Sequence, residues 1–360
     1  MKFGLLVTPG AHVTAQLVKA EQQGFDSAFF VDSPVIFGDP FVSMGAVAAR
    51  TRAIMLATGV TNPLTRSAPV TAASLAGLNA IAPGRVALGI GVGFTANFAM
   101  GQRNATLAEL EVYVESVRRL LRGEVAEVTL SGQEVPVQFL NQERPWVNLT
   151  DPVPVYVAAA GPRALVLAGR IADAIILGGM TDPEVIEACR KYIRQGAEER
   201  GRKLEEIELA ITPSVYVTDR EPTLDHLREV LGPKSLAPAM LFSRVAEASG
   251  VVRKHLVEEL RRVRSAYAPQ ADPQDDPRTR HLRAYKGYMT DVKPWQYPLM
   301  TEDVLEVTSI AGTVDRCIAK IRRLEELGIR HIILSPLPQH LDATLAAYGE
   351  RILPRFQRTP

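Results

Sequence analysis

Short apolar runs alternate with segments whose apolar residues recur at helical spacing along most of the chain. Most of these runs stop at Gly, Thr, Asn or Pro, and their length is typical of β-strands. Eight strands are predicted, at residues 3–7 and 27–31, within 56–63 and 84–93, and at 153–160, 174–177, 207–217 and 330–335. Strand, crossover helix and strand make a βαβ unit, and such units stack into a parallel sheet. The alternation predicts an α/β fold, and eight units predict a (β/α)₈ TIM barrel.

A doubly wound sheet is the alternative to the barrel. That fold binds dinucleotides through a GxGxxG turn after its first strand. No such turn follows residues 3–7, and Gly89-x-Gly91-x-Gly93 lies in the fourth unit with the wrong spacing. The barrel is therefore favoured.

Two segments interrupt the alternation. At about 124–152, two apolar runs flank Ser131-Gly132, which indicates a β-hairpin excursion. At about 222–303, charged helical pieces and a polar, proline-containing run at 268–277 replace the pattern, which indicates an insertion after strand seven. We expect a single barrel domain over residues 1–360 with these two additions.

Composition and charge exclude several classes of function. The net charge is +1, with 41 basic and 40 acidic residues, so no basic field favours nucleic acid or an anionic membrane. Cys189 and Cys317 have no metal-binding or CxxC spacing, so no disulfide framework and no metal site is expected. No uncharged apolar run approaches the roughly 18 residues that span a bilayer. We interpret Met1–Val7 as a strand, not a signal peptide, and expect a cytoplasmic protein.

The strand ends indicate where a ligand would bind. In parallel α/β folds, ligands bind beyond the carboxyl ends of the strands. The Gly, Thr and Asn residues at those ends are therefore candidate ligand contacts: Thr58, Gly59, Asn62, Gly93, Gly178 and Gly179.

Four segments together resemble the bacterial luciferase-like superfamily of flavin- and deazaflavin-dependent oxidoreductases. The similarity covers residues 1–220 and 308–340. The segments are Thr58-Gly59-Val60-Thr61-Asn62-Pro63, Gly84-Arg85 through Gly89-Ile90-Gly91-Val92-Gly93, Ala158-Ala159-Ala160-Gly161-Pro162 with Ala168-Gly169-Arg170-Ile171-Ala172-Asp173, and Ala311-Gly312-Thr313.

This resemblance implies a barrel that holds an isoalloxazine-type ring at its C-terminal mouth. Gly59-Val60 matches the place where many members have a non-prolyl cis peptide against the central ring. Gly93 and Asn97 match contacts to the cofactor tail or ring edge, Ala160 and Gly161 match a backbone site near the phosphate-bearing chain, and Asp32 matches a polar contact. Members commonly pair through helices beside the early strands, so a homodimer or higher homo-oligomer is expected.

Two positions depart from the relatives that oxidise sugar phosphates or secondary alcohols with deazaflavin. Those relatives carry a His after the Asp of strand two and often an acid after the Gly of strand four. Ser33 and Phe94 stand at these places. The base that such oxidations use is therefore missing.

His12, after strand one, is a weak candidate for an acid–base or substrate contact, and Asn62 is a second weak catalytic candidate. A solvated loop histidine is an equally good interpretation of His12. Arg66, above strand three, is a candidate for binding phosphate or an acidic substrate, although lone arginines more often form surface ion pairs.

Three functions remain open at this point. We favour a two-component monooxygenase that takes reduced FMN from a separate flavin reductase and uses O₂ to oxygenate a small organic substrate. The alternative within the same fold is a hydride-transfer oxidoreductase using deazaflavin F420, because residues 58–69 resemble the methylene-tetrahydropterin reductases of that group. A non-catalytic flavin-binding protein is the third.

Overall fold

The computed structural model describes residues 1–267, 276, 278–279, 281–284 and 286–356. Most of the polar run at 268–277 lies outside the described residues.

Twelve strands lie within this part of the chain. In chain order they are β1 (Lys2–Val7), β2 (Ser27–Phe30), β3 (Met55–Thr58), β4 (Val86–Ile90), β5 (Ala126–Leu130), β6 (Gln133–Val137), β7 (Val155–Ala158), β8 (Ala174–Ile176), β9 (Glu208–Ile211), β10 (Ser214–Val217), β11 (Ser309–Gly312) and β12 (Ile329–Leu334). Eight of them close a barrel in the order β1-β12-β9-β8-β7-β4-β3-β2. Each barrel strand thus lies beside its predecessor in the chain, as a (β/α)₈ barrel requires. The predicted TIM barrel is confirmed, and a doubly wound sheet is excluded.

Helices connect the strands. They are α1 (Val13–Gln22), α2 (Pro40–Ala48), α3 (Ala68–Ile81), α4 (Phe94–Ala99), α5 (Leu107–Leu121), α6 (Pro162–Ile171), α7 (Pro183–Glu198), α8 (Leu224–Ser249), α9 (Lys254–Tyr267), α10 (His281–Ala284), α11 (Glu302–Thr308), α12 (Val314–Glu326) and α13 (Leu341–Ala347). Among the described residues, none of these helices combines the length and the apolar character that crossing a membrane demands.

The barrel strands are buried because helices and barrel interior cover both of their faces. Every residue of β2 and of β4 is buried, which is why both segments are nearly continuous apolar runs. Local sequence signals fix where helices begin. At the start of α5, Thr106 and Glu109 form a capping box in which each side chain accepts a hydrogen bond from the backbone N–H of the other residue.

Four strands lie outside the barrel. β5 and β6 form an antiparallel hairpin, and its turn residues Ser131 and Gly132 both have positive φ, as a two-residue hairpin turn favours. The single strand predicted at 207–217 is instead two strands. Pro213 separates them because it has no N–H to continue the ladder, and β10 pairs in parallel with β11 outside the barrel. The segment between β10 and β11 contains α8 to α11, so the insertion follows the seventh barrel strand as predicted.

The chain divides into two compact units. The N-terminal unit consists of Val7–Glu21 and Asp26–Val157, and the C-terminal unit of Met1–Leu6, Gln22–Phe25 and Ala158–Pro360. The prediction of one domain over the whole chain stays a prediction.

Candidate functional site

The ends of β3 and β4 are joined by hydrogen bonds in the N-terminal unit. The Thr58 hydroxyl donates to the Gly89 carbonyl at 2.6 Å and accepts from the Gly89 N–H at 3.0 Å. Beyond the strand ends, the Thr61 N–H also donates to the Gly89 carbonyl at 2.9 Å. The Gly91 N–H in turn donates to the Thr61 carbonyl at 3.0 Å. The peptide between Gly59 and Val60 is cis, as the resemblance implied.

Gly89 allows this close approach. A Cβ at this position would lie 1.9 Å from the Thr58 carbonyl oxygen, so only glycine fits. Gly89 is therefore a packing residue.

Gly93 lies against two of the predicted asparagines. Its φ of 81° is in the left-handed region, and a Cβ there would be 2.4 Å from Asn97 Nδ2 and 2.6 Å from Asn62 Cγ. Both asparagines are fully buried. The structure therefore brings Asn62, Gly93 and Asn97 together just beyond the carboxyl ends of β3 and β4.

The Asn62 side chain holds the loop after β3. Its Oδ1 accepts from the N–H groups of Leu64 (3.0 Å) and Thr65 (3.1 Å), and its Nδ2 donates to the Thr65 hydroxyl at 2.9 Å. These bonds make an Asx turn. The catalytic and cofactor roles predicted for Asn62 stay predictions, and its side chain shapes the backbone of this loop.

Two buried polar atoms of this region lack a partner among the residues that the structure describes. Asn97 donates from Nδ2 to the Val92 carbonyl at 3.2 Å, but its Oδ1 is unsatisfied. The hydroxyl of Thr61 is likewise buried and unsatisfied. An unsatisfied buried polar group costs about 1–3 kcal/mol, which a bound ligand that completes the hydrogen bond recovers.

These two atoms fit a flavin or a deazaflavin ring. One edge of either ring offers N–H donors and carbonyl acceptors, which match an amide oxygen that needs a donor and a hydroxyl that can donate. Thr61 was not among the predicted contacts, although it lies in the segment 58–63 on which the resemblance depends. Sequence position pointed to this loop, but only the structure shows which hydroxyl is left over.

Asp32, buried after β2, is held by Arg66. Arg66 Nε lies 3.3 Å from Asp32 Oδ2, its Nη2 also pairs with Asp39, and its guanidinium lies 5.1 Å from the ring centroid of Phe41. Two carboxylates around one guanidinium leave a net negative charge, so this group does not attract a phosphate. Of the two interpretations of Arg66, the ion pair is the observed one.

The pKa of Asp39 reflects this arrangement. Burial alone would raise it, but the hydrogen bond and charge of Arg66, with the N–H groups of Val42 and Phe41, lower the pKa below its usual value. Asp39 also caps the amino end of α2 through those two N–H groups. Arg66 thereby links the loop after β3 to the loop after β2.

His12 is exposed at the start of α1. Its ring lies over Gly10, where a Cβ would be 2.6 Å from ring atoms. The catalytic role considered for His12 stays a prediction.

The remaining candidates lie in the C-terminal unit. Gly161 precedes the first turn of α6, after Ala160, and a Cβ on Gly161 would meet no atom of the described residues within 4 Å. Gly178 and Gly179 follow β8 beneath α8: added Cβ atoms would lie 3.0 Å from the ring of Phe242 and 3.1 Å from Pro238. These two glycines let α8 pack closely, and their contacts to a cofactor stay predictions.

Comparison with known proteins gives consistent results. The family model described as luciferase-like monooxygenase matches residues 4–331. The chain is 29% identical to a 5,10-methylenetetrahydromethanopterin reductase of Methanolobus tindarius, over 98% of this chain and 100% of that one. It is 30% identical to an F420-dependent glucose-6-phosphate dehydrogenase of Nakamurella multipartita, over 94% of this chain and 91% of that one.

A solved structure shares the fold along the whole chain. The coenzyme F420 dependent tetrahydromethanopterin reductase from Methanopyrus kandleri superposes with a TM-score of 0.68 at 20% identity, covering 99% of both chains. Because the family model matches residues 4–331 and the strands close the expected barrel, the chain belongs to the luciferase-like monooxygenase family of oxidoreductases.

Proposed function

We propose that this protein binds coenzyme F420 and transfers a hydride between it and a small organic substrate. The observation that supports binding of an isoalloxazine-type ring is the pair of unsatisfied buried atoms in the described residues after β3 and β4, Thr61 Oγ1 and Asn97 Oδ1. The full-length similarity to an F420-dependent glucose-6-phosphate dehydrogenase supports deazaflavin over FMN. The resemblance of residues 58–69 to the methylene-tetrahydropterin reductases points the same way.

The favoured direction is reduction of the substrate. Oxidation of an alcohol requires a base to take the hydroxyl proton, and the matching positions hold Ser33 and Phe94. Addition of a hydride to an electron-poor C=N or C=C carbon requires no base at that step. A methylene-tetrahydropterin is a substrate of this class.

The residues of this chain would orient the cofactor ring and exclude water from it. When bound, F420 supplies the hydride. Gly93 and the Asn62 turn shape the backbone against which the ring would lie, and Asn97 and Thr61 would fix its polar edge. The rings of Phe94 and Phe98, in edge contact at 5.1 Å, give α4 an apolar surface that excludes water.

Oxygenation with reduced FMN is the second candidate. The lack of an acid–base residue at Ser33 and Phe94 also suits a reaction in which the cofactor provides the reactive oxygen. This function would require O₂ and a separate flavin reductase as partner.

Steady-state assays distinguish the candidates. Purified protein is mixed anaerobically with reduced F420 and a methylene-tetrahydropterin, with oxidised F420 and glucose 6-phosphate, and aerobically with reduced FMN and a panel of small organic substrates. The proposal expects turnover in the first mixture and loss of that turnover in Asn97→Leu. Turnover with reduced FMN and O₂ alone, with oxygen inserted into a substrate, would replace it by the second candidate.

A further inference from the structure

Lys234 is a half-buried amine in the insertion helix α8 of the C-terminal unit. Its Nζ donates to the Ser335 hydroxyl at 3.2 Å and to the carbonyl of Pro336. Both acceptors directly follow β12, so the amine sits at the carboxyl end of a barrel strand. In a TIM barrel that end carries the ligand-binding residues.

No carboxylate balances this amine among the residues that the structure describes. Lys320 provides the contrast within the same unit, because its Nζ lies 2.7 Å from Glu306 Oε1. Around Lys234 the partners are neutral, and burial lowers the pKa of its amine to about 7. A cation taken from water without a counter-charge is costly unless an anion joins it.

A second donor lies beside Ser335. Ser214, the first residue of β10, forms a parallel bridge with Ser335, and the Ser335 N–H donates to the Pro213 carbonyl at 3.0 Å. Residues paired in this way carry their side chains on the same face of the sheet. The Ser214 side chain is buried, and its hydroxyl has no hydrogen-bond partner in the described part of the chain.

We propose that Lys234, Ser335 and Ser214 form a binding site for one anionic group, a carboxylate or a phosphate, of a small-molecule ligand. A carboxylate or phosphate can accept hydrogen bonds from one ammonium and two hydroxyls. The anion also supplies the negative counter-charge that the Lys234 ammonium lacks. The Ser214 hydroxyl gains its missing partner at the same time. This site does not depend on which cofactor the protein binds.

The position of α8 is consistent with a ligand site. The same helix places Pro238 next to Gly179, after β8, where a Cβ would also lie 3.1 Å from the Thr212 carbonyl. α8 therefore contacts residues that follow two barrel strands of this unit, Ser335 and Pro336 after β12 and Gly179 after β8.

Competitive labelling of lysines measures the amine directly. The intact protein, without added cofactor, is treated with an amine-reactive ester at pH 6 in sodium chloride, sodium phosphate or sodium acetate of equal ionic strength, and the modification of each lysine is read by mass spectrometry. A bound anion raises the pKa of Lys234, and a rise of one unit lowers its neutral fraction about tenfold at this pH. We expect labelling of Lys234 to fall by about this factor in the salt whose anion binds. Labelling of exposed Lys191 on α7 should stay the same in all three salts.

Variants connect the labelling to binding. Phosphate or acetate, whichever protects Lys234, should raise the Tm of the wild-type protein and of Lys191→Met relative to chloride by more than it raises the Tm of Lys234→Met, which retains only the non-specific effect of the salt. Ser214→Ala keeps the amine and should weaken the same protection severalfold. Protection by phosphate alone or by acetate alone identifies the group that the site prefers.

Equal labelling of Lys234 in all three salts would overturn the inference. The same holds if the wild type and Lys234→Met gain the same Tm, or if Ser214→Ala retains full protection of Lys234.

Discussion

At the scale of single residues, Thr61 and Thr71 are both fully buried threonines of the N-terminal unit, but their hydroxyls differ. Thr71 Oγ1 lies 2.6 Å from the hydroxyl of Tyr113, and burial raises the pKa of Tyr113 to about 12, so this pair is neutral and structural. The Thr61 hydroxyl forms no hydrogen bond with any residue that the structure describes. The two residues therefore make a matched pair for separating stability from ligand binding.

Replacing Thr61 by Val should leave the free energy of unfolding unchanged or slightly raised, because an unsatisfied buried hydroxyl is removed. Replacing Thr71 by Val should lower it by about 1–3 kcal/mol, since Tyr113 then loses its partner. Cofactor affinity should respond in the opposite way: Thr61→Val weakens it about three- to tenfold, the equivalent of one hydrogen bond, and Thr71→Val leaves it unchanged. Urea denaturation and cofactor titration measure the two quantities. Equal destabilisation by both variants, with unchanged affinity, would contradict this role of Thr61.

The sequence predicted which residues lie close together at this site, but it did not predict the hydrogen bonds that their side chains make. Parallel strands end at one edge, so the Gly and Asn residues after β3 and β4 were expected near each other, and Asn62, Gly93 and Asn97 are in contact. Side-chain orientations decide which hydroxyl remains without a hydrogen bond. They also decide whether Arg66 pairs with carboxylates or stays available for a ligand. The hydrophobic periodicity of the sequence does not encode these orientations.

At the scale of elements, three adjacent barrel strands are tied together by one carboxylate. Glu208 on β9 accepts from Lys2 Nζ on β1 at 2.7 Å and lies 3.2 Å from His331 Nδ1 on β12. Burial alone would raise the pKa of Glu208, but the hydrogen bonds and charges of His331 and Lys2 lower it to about 2. The ionised group is therefore stabilised by folding.

Glu208→Gln should consequently destabilise the protein in a pH-dependent way. Because the folded pKa is depressed, the contribution of Glu208 is present above its usual pKa of about 4.5 and is lost as pH falls toward 2. We expect a loss of roughly 2 kcal/mol at pH 7, which shrinks below pH 4.5. Chemical denaturation from pH 7 to pH 3 measures this difference, with exposed Glu205→Gln as the control. A gap that stays constant over this range would contradict the assignment.

Two elements show why the helix and strand boundaries could not all be predicted. The strand expected at 207–217 breaks at Pro213, after which β10 finds a new partner in β11. α8 continues through Pro233 and Pro238, where a proline normally ends a helix pattern. In both cases, packing against segments distant in the sequence decides where the element begins and ends. The local sequence pattern carries no information about that packing.

At the scale of the whole molecule, we propose that two copies associate through the outer surfaces of α2 and α3. Neither helix contains a charged residue, and Val42 and Val70 are 75% and 51% exposed. Uncharged apolar surface of this kind is typical of an interface core.

The double variant Val42→Glu/Val70→Glu should therefore be monomeric, because it places like charges in the interface. Light scattering after size-exclusion chromatography gives the mass in solution. Leu140→Glu, at an 88% exposed position outside α2 and α3, is the control and should keep the wild-type mass. A monomeric wild type, or a double variant of unchanged mass, would disprove this interface.

The central claim is that the carboxyl end of the barrel binds a deazaflavin. Anaerobic fluorescence titration of the purified protein with F420 and, separately, with FMN tests it most directly. The account predicts micromolar or tighter binding of F420, FMN binding at least about tenfold weaker, a difference of ~1.4 kcal/mol or more, and loss of F420 affinity in Asn97→Leu. Tighter binding of FMN than of F420, or F420 binding that Asn97→Leu does not change, would contradict it.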